Sequence, residues 1–406
     1  MALQEGIYLD VGQRPGGNWG ALFLRVRADA TAAQVDACLA GLSAVYDGLR
    51  AGRIRDLPGV NLPPSGLTIL YGYGPKAFAV TGARRPLPAG LSPEFQFASP
   101  APEGGGNPLP GSGLQYAAGL ARNPATEEVV IQAIADTPLA VARVFVETQK
   151  YLDDNPDPSL KAPAVMLAAG STGFNREDGR SWIDFHDGVS NLASGAERLS
   201  VIAIDAATPA PDDWTGGGTY LAHFRVAVDL GRWRGLAASA QELAVGRSKI
   251  SGCPLVGLSD PASGQPDAAC PTAGTGAVTD AGNEAFREPP VTGNATLLAS
   301  HVQRANHHIG PVSRDVSKRI YRQGYEFLEP PGPGRELSQG LNFVSFQESL
   351  GRLFTMLTTS GWLGATNFGG AVSDPTNPLL TVEAAGVFLC PPKVHGEAYP
   401  GRSIFA

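Results

Sequence analysis

Three short segments of the chain carry side chains of the types that perform chemistry. The first, WIDFHDGVSN over 182–191, contains Asp187 just before a glycine. The second, SHVQRANHH over 300–308, contains His301, and the third, KRIYRQGY over 318–325, contains Arg322. A carboxylate can move protons, a neutral imidazole can ligate a metal, and a guanidinium can hold negative charge on an oxygen. The three groups together are candidates for one site.

Each segment also has a structural explanation that involves no chemistry. An Asp-Gly pair is most often a turn, and an arginine in a basic loop is most often a surface charge. Three of the six histidines lie between 301 and 308, a cluster that could bind zinc, but the spacing offers no HExxH and no cysteine partner. The coincidence of three different groups in one chain, and no single motif, therefore favours a site.

In this order the three segments resemble the motif set of the dye-decolorizing peroxidases. Asp187 and Gly188 match the end of the family's GxxDG signature, with Asp184 in place of the first glycine. The second segment is similar to the proximal motif SHxRxANPR. The third is similar to RIxRRGY, and it places Arg322 21 positions after His301. The likeness covers about 182–392, whereas the first half agrees with the family only in its order of elements.

The resemblance implies a haem peroxidase that reduces hydrogen peroxide and oxidises dyes, phenols or other one-electron donors through a ferryl intermediate. It assigns His301 to the haem iron as the metal ligand, and Asp187 and Arg322 to catalysis on the opposite side. A carboxylate base stays active in acid, so an acidic pH optimum is expected. The cofactor expected is haem b, because the chain has no CxxCH for covalent attachment.

Further segments that resemble the family would complete the haem pocket. The resemblance implies that Arg225 and Arg247, together with Arg322, contact the haem, the first two as propionate partners. It also implies that Phe343 or Phe346 forms the apolar distal wall. The plainer alternative for each is a structural role.

Three more acidic or basic positions follow from the same likeness. Glu383 lies where the family often has the carboxylate that orients the proximal histidine. His307 and His308 replace the family's Pro-Arg, and one of them could face a propionate, with a solvated loop as the alternative.

The expected partners are hydrogen peroxide and small aromatic electron donors. Bulky donors would not reach such a pocket, so electrons are expected to pass through aromatic side chains. Core packing is the alternative explanation for each candidate. The candidates are Trp182, Trp233, Tyr321 and Tyr325.

The hydrophobic pattern predicts the same run of elements twice, strand, helix, strand, strand, helix, strand. Thr31 and Thr137 are suitable N-caps for the two helices of the first half, and Pro138 suits the first helical position. This order predicts an α+β fold of two ferredoxin-like domains, antiparallel sheets with peripheral helices of the dimeric α+β barrel type. The N-terminal domain is expected over 1–180 and the C-terminal, haem-binding domain over 181–406.

Composition limits the other classes of function. A net charge of −7 offers no basic stripe for a phosphate backbone, which disfavours nucleic acid. No apolar run is long enough to span a membrane, and the N-terminus resembles no signal peptide, so a cytoplasmic location is expected unless a leader has been removed. The four cysteines are expected to be scattered thiols, with a Cys253–Cys270 bridge as the alternative. The oligomeric state is left open, a homo-oligomer included.

Two other functions fit parts of the sequence. A haem carrier or iron-releasing protein of the same superfamily would bind haem but turn over donors poorly. A haem-free ferredoxin-like binding module would leave Asp187, His301 and Arg322 as unrelated surface residues.

Overall fold

The described part of the chain follows the predicted order of strands and helices. The computed structural model describes residues 2–8, 16–91, 115–116, 128–188, 191–192, 195–255, 257–258, 290–291, 293–298, 300–304, 319–333, 336–357 and 379–406. The strands are β1 (Asn18–Val26), β2 (Thr68–Tyr73), β3 (Gln115–Tyr116), β4 (Val129–Ala135), β5 (Val165–Phe174), β6 (Thr219–Val228), β7 (Gly257–Leu258), β8 (Pro290–Val291), β9 (Tyr321–Arg322), β10 (Tyr325–Glu329), β11 (Ser338–Gln347) and β12 (Leu380–Cys390). The α-helices are α1 (Ala32–Arg50), α2 (Pro138–Asp154), α3 (Gly195–Ile202), α4 (Leu230–Gly235), α5 (Ala238–Val245), α6 (Ala295–Leu298), α7 (His301–Arg304) and α8 (Leu350–Leu357).

Both long helices of the first half begin where the sequence predicts. Thr31 precedes α1, and its backbone N–H donates to the Gln34 side chain at 2.8 Å. Thr137 caps α2 by accepting a hydrogen bond from the Ala140 N–H at 3.3 Å, and Pro138 occupies the first turn. Each cap satisfies backbone groups that a helix end would otherwise leave open.

Each half of the chain forms a ferredoxin-like unit. The first half gives the strand order β5-β1-β4-β2, and the second gives β12-β6-β11-β10. Counted within its own half, each order is 4-1-3-2, and every pairing is antiparallel. This confirms the predicted α+β fold class. The predicted boundary between 180 and 181 falls between the end of β5 and the start of β6, and it stays a prediction.

The two halves share one sheet. Tyr73 of β2 pairs with Leu389 of β12, and Phe174 of β5 pairs with Glu326 of β10. Because β10 also pairs with β11, eight strands close into a ring with one inner and one outer face.

Side chains alternate between these two faces along each strand. The inner face is filled by large apolar side chains from both halves, and α1 and α2 cover much of the outer face of the first half. The inner set includes Trp19, Phe23, Leu70, Val130, Leu221, Tyr325, Val344, Phe346 and Phe388.

The cysteines differ from the expectation of scattered thiols at one position. Cys38 and Cys390 are free and buried, but Cys253 is disulfide-bonded. The expectation is therefore wrong for Cys253. Cys270, the partner considered from the sequence, lies outside the described residues.

Among the helices of the described ranges, none has the length and apolar character needed to cross a bilayer.

Candidate active site

The loop that carries Asp187 is folded back on itself. The Asp187 N–H donates to the Gly179 carbonyl at 3.0 Å, and the Gly188 N–H donates to Asp187 Oδ1 at 2.7 Å. Gly188 has a φ of +73°, a conformation that glycine adopts without strain. The Asp187 side chain is exposed. The turn therefore presents the carboxylate away from the packed side of the loop.

Apolar and aromatic contacts fix the other side of this loop. Ile183 and Phe185 are buried against Trp233, whose ring lies 6.1 Å from that of Phe185. Trp182 donates its indole N–H to the Phe327 carbonyl of β10 at 2.9 Å, and it packs edge-on against Phe174 of β5. The loop is thus tied to the place where the two halves of the sheet meet.

Asp184 has a backbone conformation that favours glycine. Its φ is +66°, in the left-handed region that costs a residue with a Cβ free energy. Its carboxylate lies 3.4 Å from Lys249 Nζ at a largely exposed position. The departure from the family motif therefore places a side chain with a Cβ where the backbone favours glycine.

Asn191 joins the loop segment to Arg322. Its side-chain NH₂ donates to the Arg322 carbonyl at 2.8 Å, and its Oδ1 accepts from the Arg322 N–H at 3.2 Å. Both hydrogen bonds are to the backbone of β9, so they fix the point from which the guanidinium extends. Asn191 is the last residue of the first chemical segment, and the structure shows that it positions the backbone of Arg322.

Arg322 is brought close to two other charged groups. Burial lowers the pKa of Arg322, and the charge of Asp187 acts in the opposite direction. Burial first, and the Arg322 charge second, lower the pKa of Arg247 to about 10. Arg247 is 4% exposed and donates to the Gly252 carbonyl at 2.8 Å. The two buried guanidiniums therefore lie close enough to influence each other's site, and Arg322 is also within the electrostatic influence of the exposed Asp187 carboxylate.

His301 begins the short helix α7, which lies beside α5 together with α6. Its side chain is half-buried. Gly246, at the end of α5, has a φ of +90°, and a Cβ at that position would lie 2.3 Å from Ser300 Oγ. Only glycine therefore lets the segment that carries His301 approach the turn that carries Arg247.

The two candidate phenylalanines lie on opposite faces of β11. Ser345 pairs with Arg322 and Phe346 with Tyr321, so Phe346 shares the inner face with Tyr321, where it is fully buried. Phe343 lies on the outer face, the same face as Arg322, and packs against Phe224 at 5.6 Å. Of the two, Phe343 shares the face of Arg322, which favours it over Phe346 for the distal wall, and both assignments stay predictions.

Arg225 also lies on the inner face, opposite to Arg322. It pairs with Asn342 in the sheet register, and its guanidinium stacks over the Phe327 ring at 3.6 Å. It donates to Glu329 at 2.6 Å and to Glu383 at 2.8 Å. These partners already compensate its charge, which counts against a propionate role for Arg225, and the assignment stays a prediction. The support of His301 by Glu383 stays a prediction, because the contact described for this carboxylate is to Arg225.

The electron-relay candidates differ sharply in exposure. Trp233, Tyr321 and Tyr325 are at most 3% exposed, whereas Trp182 is half-buried and carries Arg176 over its ring at 5.1 Å. Only Trp182 among these four reaches the surface. His307 and His308 lie outside the described residues.

One residue near the loop was missed by the sequence analysis. Glu326 is an acidic side chain among the buried residues Tyr325 and Phe327 of the strand YEFLE, and it is 4% exposed. A charged residue inside a buried strand is the signal that could have singled it out.

Comparisons with known proteins agree with the architecture. A family model described as "Dyp-type peroxidase, C-terminal" matches residues 178–395. A solved DyP-type peroxidase from Cellulomonas bogoriensis is 22% identical, with a TM-score of 0.66 over 97% of this chain and 95% of that one. Ferric DtpA from Streptomyces lividans is 20% identical, with a TM-score of 0.68 over 97% and 94%. DyPB from Rhodococcus jostii RHA1 is 18% identical, with a TM-score of 0.56 over 96% of each chain. At these identities the structures are evidence for the fold alone.

We predict that Asp184→Gly stabilises the protein by about 0.5–1 kcal/mol, because glycine relieves the left-handed strain. The Lys249 ion pair that is lost is exposed and contributes about 0–1 kcal/mol. Urea unfolding at neutral pH measures the difference. Asp184→Ala is the matched control, and it should be less stable than the wild type. If Asp184→Gly is the less stable protein, the pair with Lys249 outweighs the strain.

Proposed function

The chain belongs to the DyP-type peroxidase family, and we propose that Asp187, Arg322 and His301 are its proton-transfer residue, its distal arginine and its haem ligand. Members of this family are haem-dependent peroxidases, so the chain is one as well. A haem carrier and a haem-free binding module are not favoured. The assignment of residues rests chiefly on one observation, the double hydrogen bond by which Asn191 ties the Asp187 segment to Arg322.

The charges at the site suit an anionic cofactor. Burial disfavours the charged form of both Arg247 and Arg322, and the Arg322 charge lowers the pKa of Arg247 further. A bound anion would offset both penalties, and the two propionates of haem are such anions. We propose haem b, held by His301 and by Arg247 and Arg322, with Phe343 against its distal side.

His301 would supply the nitrogen ligand that a haem iron needs on one side. Once bound, the haem supplies the iron to which peroxide binds and the electrons that reduce it. The chain's own residues supply the rest. They hold the ligand, move the protons and stabilise the charge that develops on oxygen.

Asp187 and Arg322 have complementary tasks in this scheme. Asp187 takes the proton from one oxygen of hydrogen peroxide and returns it to the other, so that the second oxygen leaves as water. Arg322 holds the negative charge on the departing oxygen with its guanidinium. Because Asn191 fixes the Arg322 backbone, the guanidinium does not have to be reoriented in each cycle.

Electrons from donors too large for the pocket would enter through Trp182. Its ring is half-buried, its indole N–H is fixed by Phe327, and it precedes Asp187 by five positions. Dyes, phenols and other aromatic one-electron donors are the proposed substrates beside peroxide.

A cytoplasmic location stays a prediction from the N-terminal sequence. The disulfide at Cys253 counts against it, because such cross-links persist chiefly in oxidising compartments.

We predict that His301→Ala loses the haem. Wild-type protein reconstituted with haem should show a Soret band that changes when one equivalent of hydrogen peroxide is added. In the variant this band should be absent or altered, and added imidazole should restore it by filling the vacated ligand position. His395→Ala, which removes an exposed histidine near the C-terminus, is the matched control. An unchanged spectrum in His301→Ala would exclude this histidine as the ligand.

We predict that Asn191→Ala lowers the rate of reaction with peroxide by about 10–100-fold, because small displacements of a catalytic group have effects of this size. Haem binding should remain, since the haem ligand is untouched. Stopped-flow spectroscopy measures the rate and titration measures the affinity. Asn191→Asp, which can still accept from the Arg322 N–H, should be affected less. Equal rates in wild type and Asn191→Ala would show that β9 positions Arg322 without this residue.

We predict that Trp182→Phe lowers the turnover of a bulky dye while the rate with peroxide is unchanged. Trp214→Phe is a close control, because Trp214 is also half-buried and also carries an arginine over its ring. Steady-state assays with the dye and with a small phenol separate the two routes. Dye turnover at the wild-type level in Trp182→Phe would rule out this relay.

A further inference from the structure

A second carboxyl group lies beneath the loop that carries Asp187. Glu326 follows Tyr325 in β10 and points to the opposite, outer face, where its pairing partner in β11 is Leu341. The side chain is 4% exposed, and its Oε1 atom is buried with no hydrogen-bond partner. The backbone of Trp182 lies near the same carboxyl group and acts to lower its pKa. Trp182 thus lies near the carboxyl group of Glu326, whose Oε1 atom has no hydrogen-bond partner among the described residues.

Among the described residues, three charged side chains shift the pKa of Glu326, and all belong to the segment over 176–187. Asp187 and Asp178 are acidic, and Arg176 is basic and forms an ion pair with Asp178. Burial first, and the Asp187 charge second, raise the pKa of Glu326 to about 8. The group is therefore a neutral acid at pH 7, and its open oxygen can carry the proton.

The peroxidase reaction needs protons from outside the peroxide. Reduction of one hydrogen peroxide to two waters consumes two electrons and two protons. A phenol releases a proton when it gives up an electron. A donor that gives only an electron, as through Trp182, supplies no proton, so the protons must come through the protein or from water.

We propose that Glu326 is a proton-relay residue of this site, which holds a proton beneath the loop, passes it to Asp187 in each cycle and is refilled from the solvent side. The inference rests on the proposed function for the role of Asp187. The arrangement supports it, because Glu326 lies within electrostatic reach of Asp187 and of the Arg176–Asp178 pair. Asp178 is 47% exposed, so water reaches the far end of this series.

The protonated state can be tested in haem-free protein. The infrared spectrum at pH 7 should contain a band of a protonated carboxyl group that is absent in Glu326→Gln. In the wild type this band should disappear with a midpoint near pH 8. Glu329→Gln is the matched control, because that residue lies three positions along the same strand and pairs with Arg225. A band unchanged in Glu326→Gln, or its absence from the wild type, would overturn the proposal.

The pH dependence of stability gives a second test without haem. An unfolded glutamate ionises near pH 4.3, so between about pH 4 and about pH 8 the folded protein retains a proton that the unfolded chain releases. Stability of the wild type should therefore fall as the pH rises through this window. Glu326→Gln should show a weaker fall, because the amide does not titrate. Equal slopes in the two proteins would contradict a protonated Glu326.

The relay itself is tested in the haem-loaded enzyme with two donors. With ferrocyanide, which supplies no proton, Glu326→Gln should lower the donor-oxidation rate at pH 7 by about tenfold or more, as expected when a positioned acid is removed. With a phenol the loss should be smaller, and the rate with peroxide should stay within about twofold, because Asp187 only redistributes the peroxide's own proton in that step.

The outcomes separate this proposal from the proposed function. If the wild type binds no haem, the proposed function fails, while the infrared band still reports on Glu326. If haem binds and peroxide reacts, but both donors are oxidised at wild-type rates in Glu326→Gln, Asp187 takes its protons directly from water and the relay is rejected. Equal losses with both donors would mean that Glu326 only supports the loop, which also rejects the relay.

Discussion

The closure of the sheet is the constraint on which the rest of the structure depends. Strand β10 pairs with β5 of the first half and with β11 of the second, and this double pairing turns two ferredoxin-like sheets into one ring. A closed ring has no free edges, and it has an inside that must be filled. Aromatic and aliphatic side chains from both halves fill it. The remaining face of the second half, which carries Arg322, Phe343 and Glu326, is thereby left for the chemistry.

Much of this architecture follows from local patterns that a sequence displays. The alternation that marks a strand and the spacing that marks a helix both lie within a single element. The order of strands and helices could therefore be predicted for each half of the chain. Thr31 and Thr137 mark helix starts because a capping residue forms its hydrogen bonds with residues at most four positions away. The three chemical segments could be identified for a different reason. Asp187, His301 and Arg322 each lie in a short motif whose neighbours constrain the backbone around them.

The sequence is a poor guide where the pairing of distant strands decides which face of the sheet a side chain occupies. Whether Phe343 or Phe346 faces the site depends on the pairing of β11 with β9 and β6, and a shift of one residue would exchange them. Strand register also decides the position of Arg225, whose pairing with Asn342 places it on the inner face. Asp184 is a local case. Its φ of +66° lies in the left-handed region, which the residue type at this position does not predict.

The outer face of the second half carries features that each reduce stability. Arg322 and Arg247 are buried close together, Glu326 is buried with one oxygen that has no hydrogen-bond partner among the described residues, and Asp184 has a strained backbone. Residues selected only for stability would not combine in this way, whereas a site that must hold an anion and move protons requires such groups in a place of low dielectric. The apolar inner face and the capped helices contribute the stability that allows it. The division of labour between the two faces of one sheet therefore links the fold to the chemistry.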